Sequence, residues 1–134
     1  MPDERIREWA GGLLDADVRS FERARTRFLR RPTADRLHDV RVSARRLRSL
    51  CEDLHEALPA VRTKRLHRLI EMTGDARDAA VLRETLRNAL DARERKTARP
   101  LLRSLRKRER LMLARIARAL KQTKLRLRRK GSAT

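Results

Sequence analysis

The amino-acid sequence predicts an all-α protein, an antiparallel bundle of four to five helices. Apolar residues recur at intervals of three and four along most of the 134 residues, which is the spacing of a buried helical face. Only four glycines and four prolines interrupt this pattern, and no segment alternates as a strand does. Short connections between amphipathic helices favour antiparallel neighbours. We therefore expect residues 1–134 to form one domain, with 130–134 disordered.

The first two helices are expected over about 3–30 and from Thr33 to about Ala57. The buried face predicted for helix 1 contains Trp9, Leu13, Ala16, Phe21, Ala24 and Phe28, which include all three aromatic residues. Gly11 and Gly12 interrupt helix 1 and predict a kink or a late start. Thr33 is suited to cap helix 2, with Asp35 in its first turn. The stripe predicted for helix 2 contains Leu37, Val40, Ala44, Leu47, Cys51 and Leu54.

Three more helices complete the predicted bundle. Pro59 is expected to open helix 3, over about 59–72. Gly74 is suited to a left-handed C-cap and Asp75 to an N-cap, so we expect a break before helix 4, over about 76–95. Pro100 lies near the start of helix 5, which extends to about Arg129. The inward residues predicted for these helices are Val61, Leu66, Leu69, Ile70, Ala79, Leu82, Leu86, Leu90, Leu102, Leu105, Met112, Ile116 and Leu120.

Positive charge dominates the composition. Lys and Arg number 37 against 18 acids, giving a net charge of +19, and 31 of the 37 are Arg. From Arg95 onward there are 16 basic residues and one acid, Glu109. Such an excess costs self-repulsion, which a polyanionic partner would relieve. Arginine side chains are planar forks that match phosphate oxygens, so a phosphate-rich partner is indicated.

Residues 38–48, HDVRVSARRLR, concentrate this charge on helix 2. His38, Arg41, Arg45 and Arg48 are spaced by three, four and three, so they form one ridge over roughly 15 Å of helix. Arg46 lies beside this ridge, and no acid occurs between Val40 and Leu50. Two interpretations stay open from the residues alone: a solvated charged face, or the wall of an anion-binding site.

Basic residues also recur on the other predicted helices. We take as candidate anion contacts Arg19, Arg23 and Arg27 on helix 1, Lys64, Arg65 and Arg68 on helix 3, and Arg110, Lys121 and Lys124 on helix 5. Ridges that face one another would form a basic groove. Nucleic acid is the alternative partner, with the basic C-terminal segment as its footprint. The scarcity of aromatic residues for base stacking favours an anion without bases.

Catalytic and metal-binding patterns are weak. The three histidines lack the spacing of metal ligands. Cys51 and His55 are four residues apart, which suits a thiol–imidazole pair, but the buried stripe favours an inert thiol at Cys51. No phosphate-binding glycine loop is present. We therefore expect a binding protein without metal or cofactor, not an enzyme. One cysteine, no apolar membrane span and a charged N-terminus favour a cytoplasmic location.

Residues 38–48 resemble the signature of the CHAD domain, the conserved histidine α-helical domain. Its signature H-x-x-R-V-x-x-R-R-L-R is matched at every fixed position by His38, Arg41, Val42, Arg45, Arg46, Leu47 and Arg48. A second block, Leu-Gly-x-x-Arg-Asp, is similar to residues 73–78, with Thr73 in place of the leucine. Residues 119–124 resemble a third, weaker block. The resemblance extends over about residues 20–128.

This resemblance implies an all-helical fold that binds inorganic polyphosphate in a basic cavity, and an association with polyphosphate granules. Carried over to this chain, the anion contacts are His38, Arg41, Arg45, Arg48 and Arg77. Arg46 either contacts phosphate or pairs with Asp78. Members of the family usually hold two similar bundles, so this chain resembles one half of the fold. A homodimer that rebuilds the two-bundle cavity, a monomeric half and a fragment are the alternatives.

Overall fold

The computed structural model describes residues 3–122, Leu125 and Leu127. Every regular element in this part of the chain is a helix, which confirms the predicted all-α class and the upper count of five. The helices are α1 (Glu4–Arg30), α2 (Ala34–Asp53), α3 (Lys64–Ala89), α4 (Ala92–Thr97) and α5 (Arg99–Gln122). The four long helices form the bundle: α1 packs on α2, α2 on α3, α3 on α5, and α5 returns to α1.

Helix α1 is continuous from Glu4, where the side chain of Asp3 caps the backbone N–H groups of Arg5 and Ile6. The late start predicted at Gly11 and Gly12 is therefore wrong, and the kink stays a prediction. The predicted inner face is also wrong at its N-terminal end, because Trp9 is 63% exposed. Leu13 and Ala16 are exposed as well. The core side of α1 consists of Ala10, Gly11, Leu14, Phe21 and Phe28.

Helix α2 follows its prediction closely. The Thr33 hydroxyl accepts a hydrogen bond from the Arg36 backbone N–H at 3.3 Å, so Thr33 is the N-cap. All six residues of the predicted stripe are buried. The helix ends at Asp53, four residues before the predicted end, and residues 54–57 form turns. Pro59 opens no helix; α3 begins at Lys64.

Helix α3 runs through the position where the sequence predicted a break. Gly74 and Asp75 lie inside it, so the two predicted helices 3 and 4 are one helix of 26 residues. Thr73 and Ala76 on either side are buried, and their packing holds the backbone helical through Gly74. Beyond Ala76 the predicted inner face is only half-buried, and Leu82 is 55% exposed.

A short helix, α4, joins α3 to α5. The Asp91 carboxylate accepts from the Glu94 backbone N–H at 2.7 Å, and the Glu94 carboxylate accepts from the Asp91 N–H at 3.1 Å. This reciprocal capping box starts α4. Helix α5 ends at Gln122 instead of Arg129. Leu127 lies outside the helix, is buried, and accepts a hydrogen bond from the Arg62 backbone at 2.7 Å.

One aliphatic core, with two phenylalanines from α1, joins the four long helices. Its largest fully buried side chains include Phe21, Phe28, Leu14, Leu47 and Leu66. Among the described helices, none has a stretch long and apolar enough to cross a membrane. The predicted disorder of 130–134 concerns positions outside the described residues.

Candidate functional site

Helix α2 presents the predicted ridge beside its buried stripe. His38 and Arg45 are exposed, whereas Arg41 and Arg48 are half-buried. Arg48 lies 4.0 Å from the Glu52 carboxylate, one turn later on the same helix. The ridge is therefore not uniform: two members face solvent and two are drawn against the protein.

Arg41 crosses from α2 to α3. Its Nη1 donates to the Ile70 carbonyl oxygen at 3.1 Å and lies 3.4 Å from the Thr73 hydroxyl, which itself donates to Ile70. A Cβ at Gly74 would meet this Nη1 at 3.0 Å, so glycine leaves room for the guanidinium. The predicted anion contact Arg41 thus has a structural partner, and this packing accounts for a glycine inside α3.

A small cavity lies under the ridge where α2, α3 and α5 meet. Its lining includes His38, Arg41, Arg77, Thr73 and Glu109. The sequence placed the first three of these residues in one site, and the fold brings them together. At about 20 Å³ the cavity has room for one water molecule, so a polyanion would lie across its mouth instead of inside it.

Glu109 is the acidic member of this cavity, which we call the ridge cavity. The residue is 8% exposed, and its Oε2 pairs with the Arg83 Nε at 2.5 Å. A buried carboxylate needs such a partner, because leaving it unpaired is costly. No local sequence pattern predicts this ion pair, although Glu109 is the one acid after Arg95.

On its other side the ridge borders a groove between α1 and α2. The cations that line this α1–α2 groove are Arg23 and Arg27 from α1 with His38 and Arg46 from α2. Asp39 is the acidic residue in its lining, and its volume is about 430 Å³. His38 therefore lies between the ridge cavity and this groove. Of the four ridge residues only His38 lines this groove, where it and Arg46 lie across from Arg23 and Arg27 of α1.

The alternative pairing of Arg46 with Asp78 is not observed among the described residues. Arg46 lines the α1–α2 groove, whereas Asp78 lines a different groove between α3 and α5. Arg46 is exposed and lines the same groove as His38, which is compatible with the other interpretation, a contact to phosphate.

The remaining predicted contacts are dispersed. Arg65 and Arg68 line a separate groove of about 370 Å³ at the end of α5, together with Phe21 and Met72. The predicted contacts that are exposed outside the grooves described above are Arg19, Lys64, Arg110 and Lys121. Lys124 is outside the described residues. The fold thus divides the predicted set between several surfaces instead of one continuous channel.

Catalytic chemistry finds little support at Cys51. The residue is 6% exposed, and burial raises the pKa of its thiol to about 11, with further contributions from Asp17 and Glu52. A thiol with so high a pKa is protonated at neutral pH and is a poor nucleophile. The described residues include no group of three or more His, Cys, Asp or Glu side chains placed to bind a metal.

Comparison with known proteins identifies the class to which this helical bundle belongs. The chain matches the CHAD domain over residues 12–131, nearly its whole length. It is therefore a member of the CHAD domain family. Domains of this family bind polyphosphate and are in general binding modules instead of catalysts. Comparison with curated proteins and with solved structures gave no match.

Proposed function

We propose that this protein is a noncatalytic module that binds inorganic polyphosphate through the ridge and the α1–α2 groove. The observation that carries the proposal is the position of His38. It lies where the ridge cavity meets a groove with arginines on both walls. Arginine forks in this arrangement grip nonbridging phosphate oxygens bidentately. Binding of this kind would place the protein on polyphosphate granules in the cytoplasm.

The residues of this site divide into two roles in our proposal. Exposed cations, including His38, Arg45 and Arg46, contact the phosphate chain directly. Arg41 is held against α3 by its hydrogen bond to Ile70, and it lines the ridge cavity. The buried stripe of α2 fixes the helix that carries these groups. The conformational entropy of this backbone is therefore lost on folding and not again on binding.

The test compares polyphosphate chains of different length by titration calorimetry at fixed salt. We expect affinity to rise with chain length and to fall steeply with salt, because each phosphate contact releases a counterion. Replacing Arg45→Glu together with Arg46→Glu should weaken binding of long chains by about tenfold or more at moderate salt. Long-chain polyphosphate that binds no better than orthophosphate would contradict the proposal.

The matched control is Arg5→Glu with Arg7→Glu, which changes the net charge equally at the exposed start of α1. It lies outside the grooves of this site, so its effect should be below about threefold, the general effect of a distant screened charge. Both variants are checked by circular dichroism, since the replaced residues are exposed and the helix content should stay unchanged. Equal losses in the two variants would mean that net charge alone attracts the polyanion.

Nucleic acid is the alternative ligand, and Trp9 makes it testable. Trp9 is exposed, contrary to prediction, so it offers one ring for stacking. It lies eleven residues before Ser20, the first residue lining the α1–α2 groove, which is about 16 Å along the helix. Single-stranded DNA that quenches Trp9 fluorescence and resists displacement by polyphosphate would favour this alternative.

We also propose a second copy of this chain as the partner of the outer face of α3 and α5. Ala79, Leu82, Leu105 and Met112 line an open groove there of about 370 Å³. Its lining also contains Asp75, Asp78 and Arg108. In a two-fold pair the acids of one copy would oppose the arginine of the other, so the surface is self-complementary. Such a homodimer would supply the two bundles that the family resemblance implies.

A further inference from the structure

A second strongly basic groove lies at the end of the bundle where α3, α4 and α5 meet. Arg83 and Arg87 border it from α3, and Arg99, Arg103 and Arg106 from α5. Arg95 and Lys96 of α4 complete the cationic lining. We call it the hairpin groove. Its volume is about 490 Å³, larger than that of the α1–α2 groove. None of these cations belongs to the site predicted from the sequence.

Helical spacing sets the two walls of the hairpin groove. Arg83 and Arg87 are four residues apart, so they share one face of α3. Arg99, Arg103 and Arg106 are separated by four and three, so they share one face of α5. The other two lining residues, Ala92 and Leu102, are aliphatic. The groove therefore presents two rows of guanidinium groups over an aliphatic base, without an aromatic ring.

Hydrogen bonds hold the closed end of this groove in place. The Arg95 Nε donates to the Arg87 carbonyl oxygen at 3.0 Å, which ties α4 to the end of α3. The neighbouring acids Asp91 and Glu94 are engaged with each other's backbone in the capping box of α4. Glu109 pairs with Arg83, but it lines the ridge cavity and not the hairpin groove. Seven cations thus line the hairpin groove without a carboxylate in the lining.

We propose that the hairpin groove is a second polyanion site, for a ligand of several linked phosphates without bases. Arg83 is paired with Glu109, and the other six cations, on three helices, exceed what one phosphate group can contact, which favours a chain of phosphates. The lack of an aromatic ring in the lining gives nucleobases no stacking surface. The site stands on its own cations, and only the choice of inorganic polyphosphate as its ligand rests on the proposed function.

Two sites on one molecule have a consequence for long chains. A polyphosphate held at one groove raises the local concentration of its free segments near other basic grooves. A long chain can then engage both grooves of one molecule or link neighbouring molecules. Short chains such as tripolyphosphate occupy each groove separately, so the number bound per protein counts the sites.

The experiment is calorimetric titration of the full chain with tripolyphosphate at low salt. We expect two tripolyphosphates per protein. The variant Arg103→Glu with Arg106→Glu should bind one tripolyphosphate, at the ridge site. The ridge variant Arg45→Glu with Arg46→Glu should also bind one, in the hairpin groove. The control Arg115→Glu with Arg118→Glu has the same spacing and charge change, on exposed positions of the same helix outside the groove, and should still bind two.

Three possible outcomes of the titration overturn the hairpin site. The first is an unchanged stoichiometry in the Arg103/Arg106 variant, and the second is equal loss in the Arg115/Arg118 control. The third is a ridge variant that binds no tripolyphosphate, because its hairpin groove is unmodified and should still bind one. A ridge variant that keeps both tripolyphosphates instead refutes the proposed function and leaves the hairpin site standing.

A second measurement does not depend on variants. Methyl NMR of the unmodified protein follows Leu102, which lines the hairpin groove, during titration with tripolyphosphate. We expect its methyl signals to shift in step with one of the two binding events. Leu102 signals that respond to duplex DNA but not to tripolyphosphate would overturn the proposal in favour of a nucleic-acid site.

Discussion

At the scale of single residues, the arginines of this chain serve two distinct purposes. Arg25, Arg36, Arg41 and Arg83 bond to backbone carbonyls or to a carboxylate within the fold. Arg45 and Arg46 are exposed, as is His38 on the same helix. Composition cannot separate these groups, because a guanidinium contributes the same charge whether it holds two helices together or faces a ligand.

Replacing Gly74→Ala tests the contact between α3 and Arg41. Alanine gains about 1 kcal/mol over glycine in a helix interior. Here the new Cβ would lie 3.0 Å from the Arg41 Nη1, which must shift by a few tenths of an ångström and so weaken its hydrogen bond to Ile70. A hydrogen bond from a charged group contributes about 1.5–3 kcal/mol, so weakening this bond should offset much of the gain. Urea denaturation measures the free energy of unfolding.

Gly12→Ala is the matched control for this substitution. Gly12 is also inside a helix, but a Cβ there would meet no atom within 4 Å. It should raise the free energy of unfolding by about 1 kcal/mol. If Gly74→Ala stabilises the protein as much as Gly12→Ala does, Arg41 accommodates the new Cβ without weakening its hydrogen bond.

Cys51 gives a second prediction at the residue scale, for alkaline pH. Burial, Asp17 and Glu52 raise the pKa of the thiol from its ordinary value of 9.0 to about 11 in the folded state. Above pH 9 the thiol of the unfolded chain ionises first, so the stabilising effect of the neutral thiol is lost as the pH rises toward 11. Below pH 9 both states hold the proton and this contribution is constant.

We therefore expect the free energy of unfolding to fall more steeply between pH 9 and 11 in the natural protein than in Cys51→Ala. Urea denaturation at several pH values in this range measures both slopes. The difference between the two proteins removes the contributions of Lys and Arg residues, which they share. Parallel slopes would show that Cys51 ionises as readily in the folded state as in the unfolded chain.

At the scale of helices, tertiary packing overrides local breaking signals. Gly74 and Asp75 have the residue types of a C-cap and an N-cap, yet α3 continues through them. The helix-breaking cost of one glycine is about 1 kcal/mol, which burial of neighbouring side chains such as Ile70 and Thr73 outweighs. Gly74 is accounted for by the approach of Arg41, a contact between helices that no local rule contains.

Arg25 connects α1 to the end of α5 and provides a prediction at this scale. Its Nε donates to the Leu120 carbonyl oxygen at 3.0 Å, and its Nη2 donates to the same oxygen. Leu120 carries one of the last four carbonyls of α5, which have no partner within their own helix. We expect Arg25→Ala to cost about 2 kcal/mol, because this half-buried carbonyl loses a charged donor.

Hydrogen exchange of the α5 backbone measures this effect together with urea denaturation. Exchange should accelerate in the last turn of α5, at residues 119–122. Arg23→Ala is the control, because it removes the same charge from an exposed position on the same helix and should change stability by less than about 0.5 kcal/mol. A similar loss in both variants would assign the effect to charge instead of to the bond with Leu120.

At the scale of the whole molecule, a charge of +19 and an uncovered apolar surface act in opposite directions on self-association. Repulsion favours the monomer, whereas burial of the groove around Leu82 favours the proposed dimer. Because polyphosphate would neutralise much of the charge, we expect the dimer fraction to increase when polyphosphate is bound or when salt is raised. Light scattering coupled to size-exclusion chromatography measures the molecular mass under each condition.

Leu82→Asp should shift this equilibrium to the monomer, because it places a charge in the middle of the apolar groove. Leu111→Asp is its control: Leu111 is 62% exposed but does not line the groove. A protein that is monomeric in all conditions, or equal effects of the two substitutions, would refute the dimer at this face.

Periodicity alone determined the all-α class, the buried stripe of α2 and the alignment of His38 with Arg45. These are properties of one helix, and the angle between its residues is set by its own geometry. Periodicity was insufficient in the first half of α1, where Trp9 and Ala10 begin two apolar faces about 100° apart. Tertiary packing decided which of the two is buried, and it buries Ala10 and Leu14.

The tertiary structure alone decided which cations meet. It placed Arg23 and Arg27 opposite Arg46, and it assembled the hairpin groove from three helices. It also committed Arg25 to a carbonyl 95 residues away. The physical reason is that the long arginine side chain reaches across helices, so its role depends on what lies within reach in space. The sequence spacing of the ridge determined its shape, and packing determined which of its arginines remain available to a ligand.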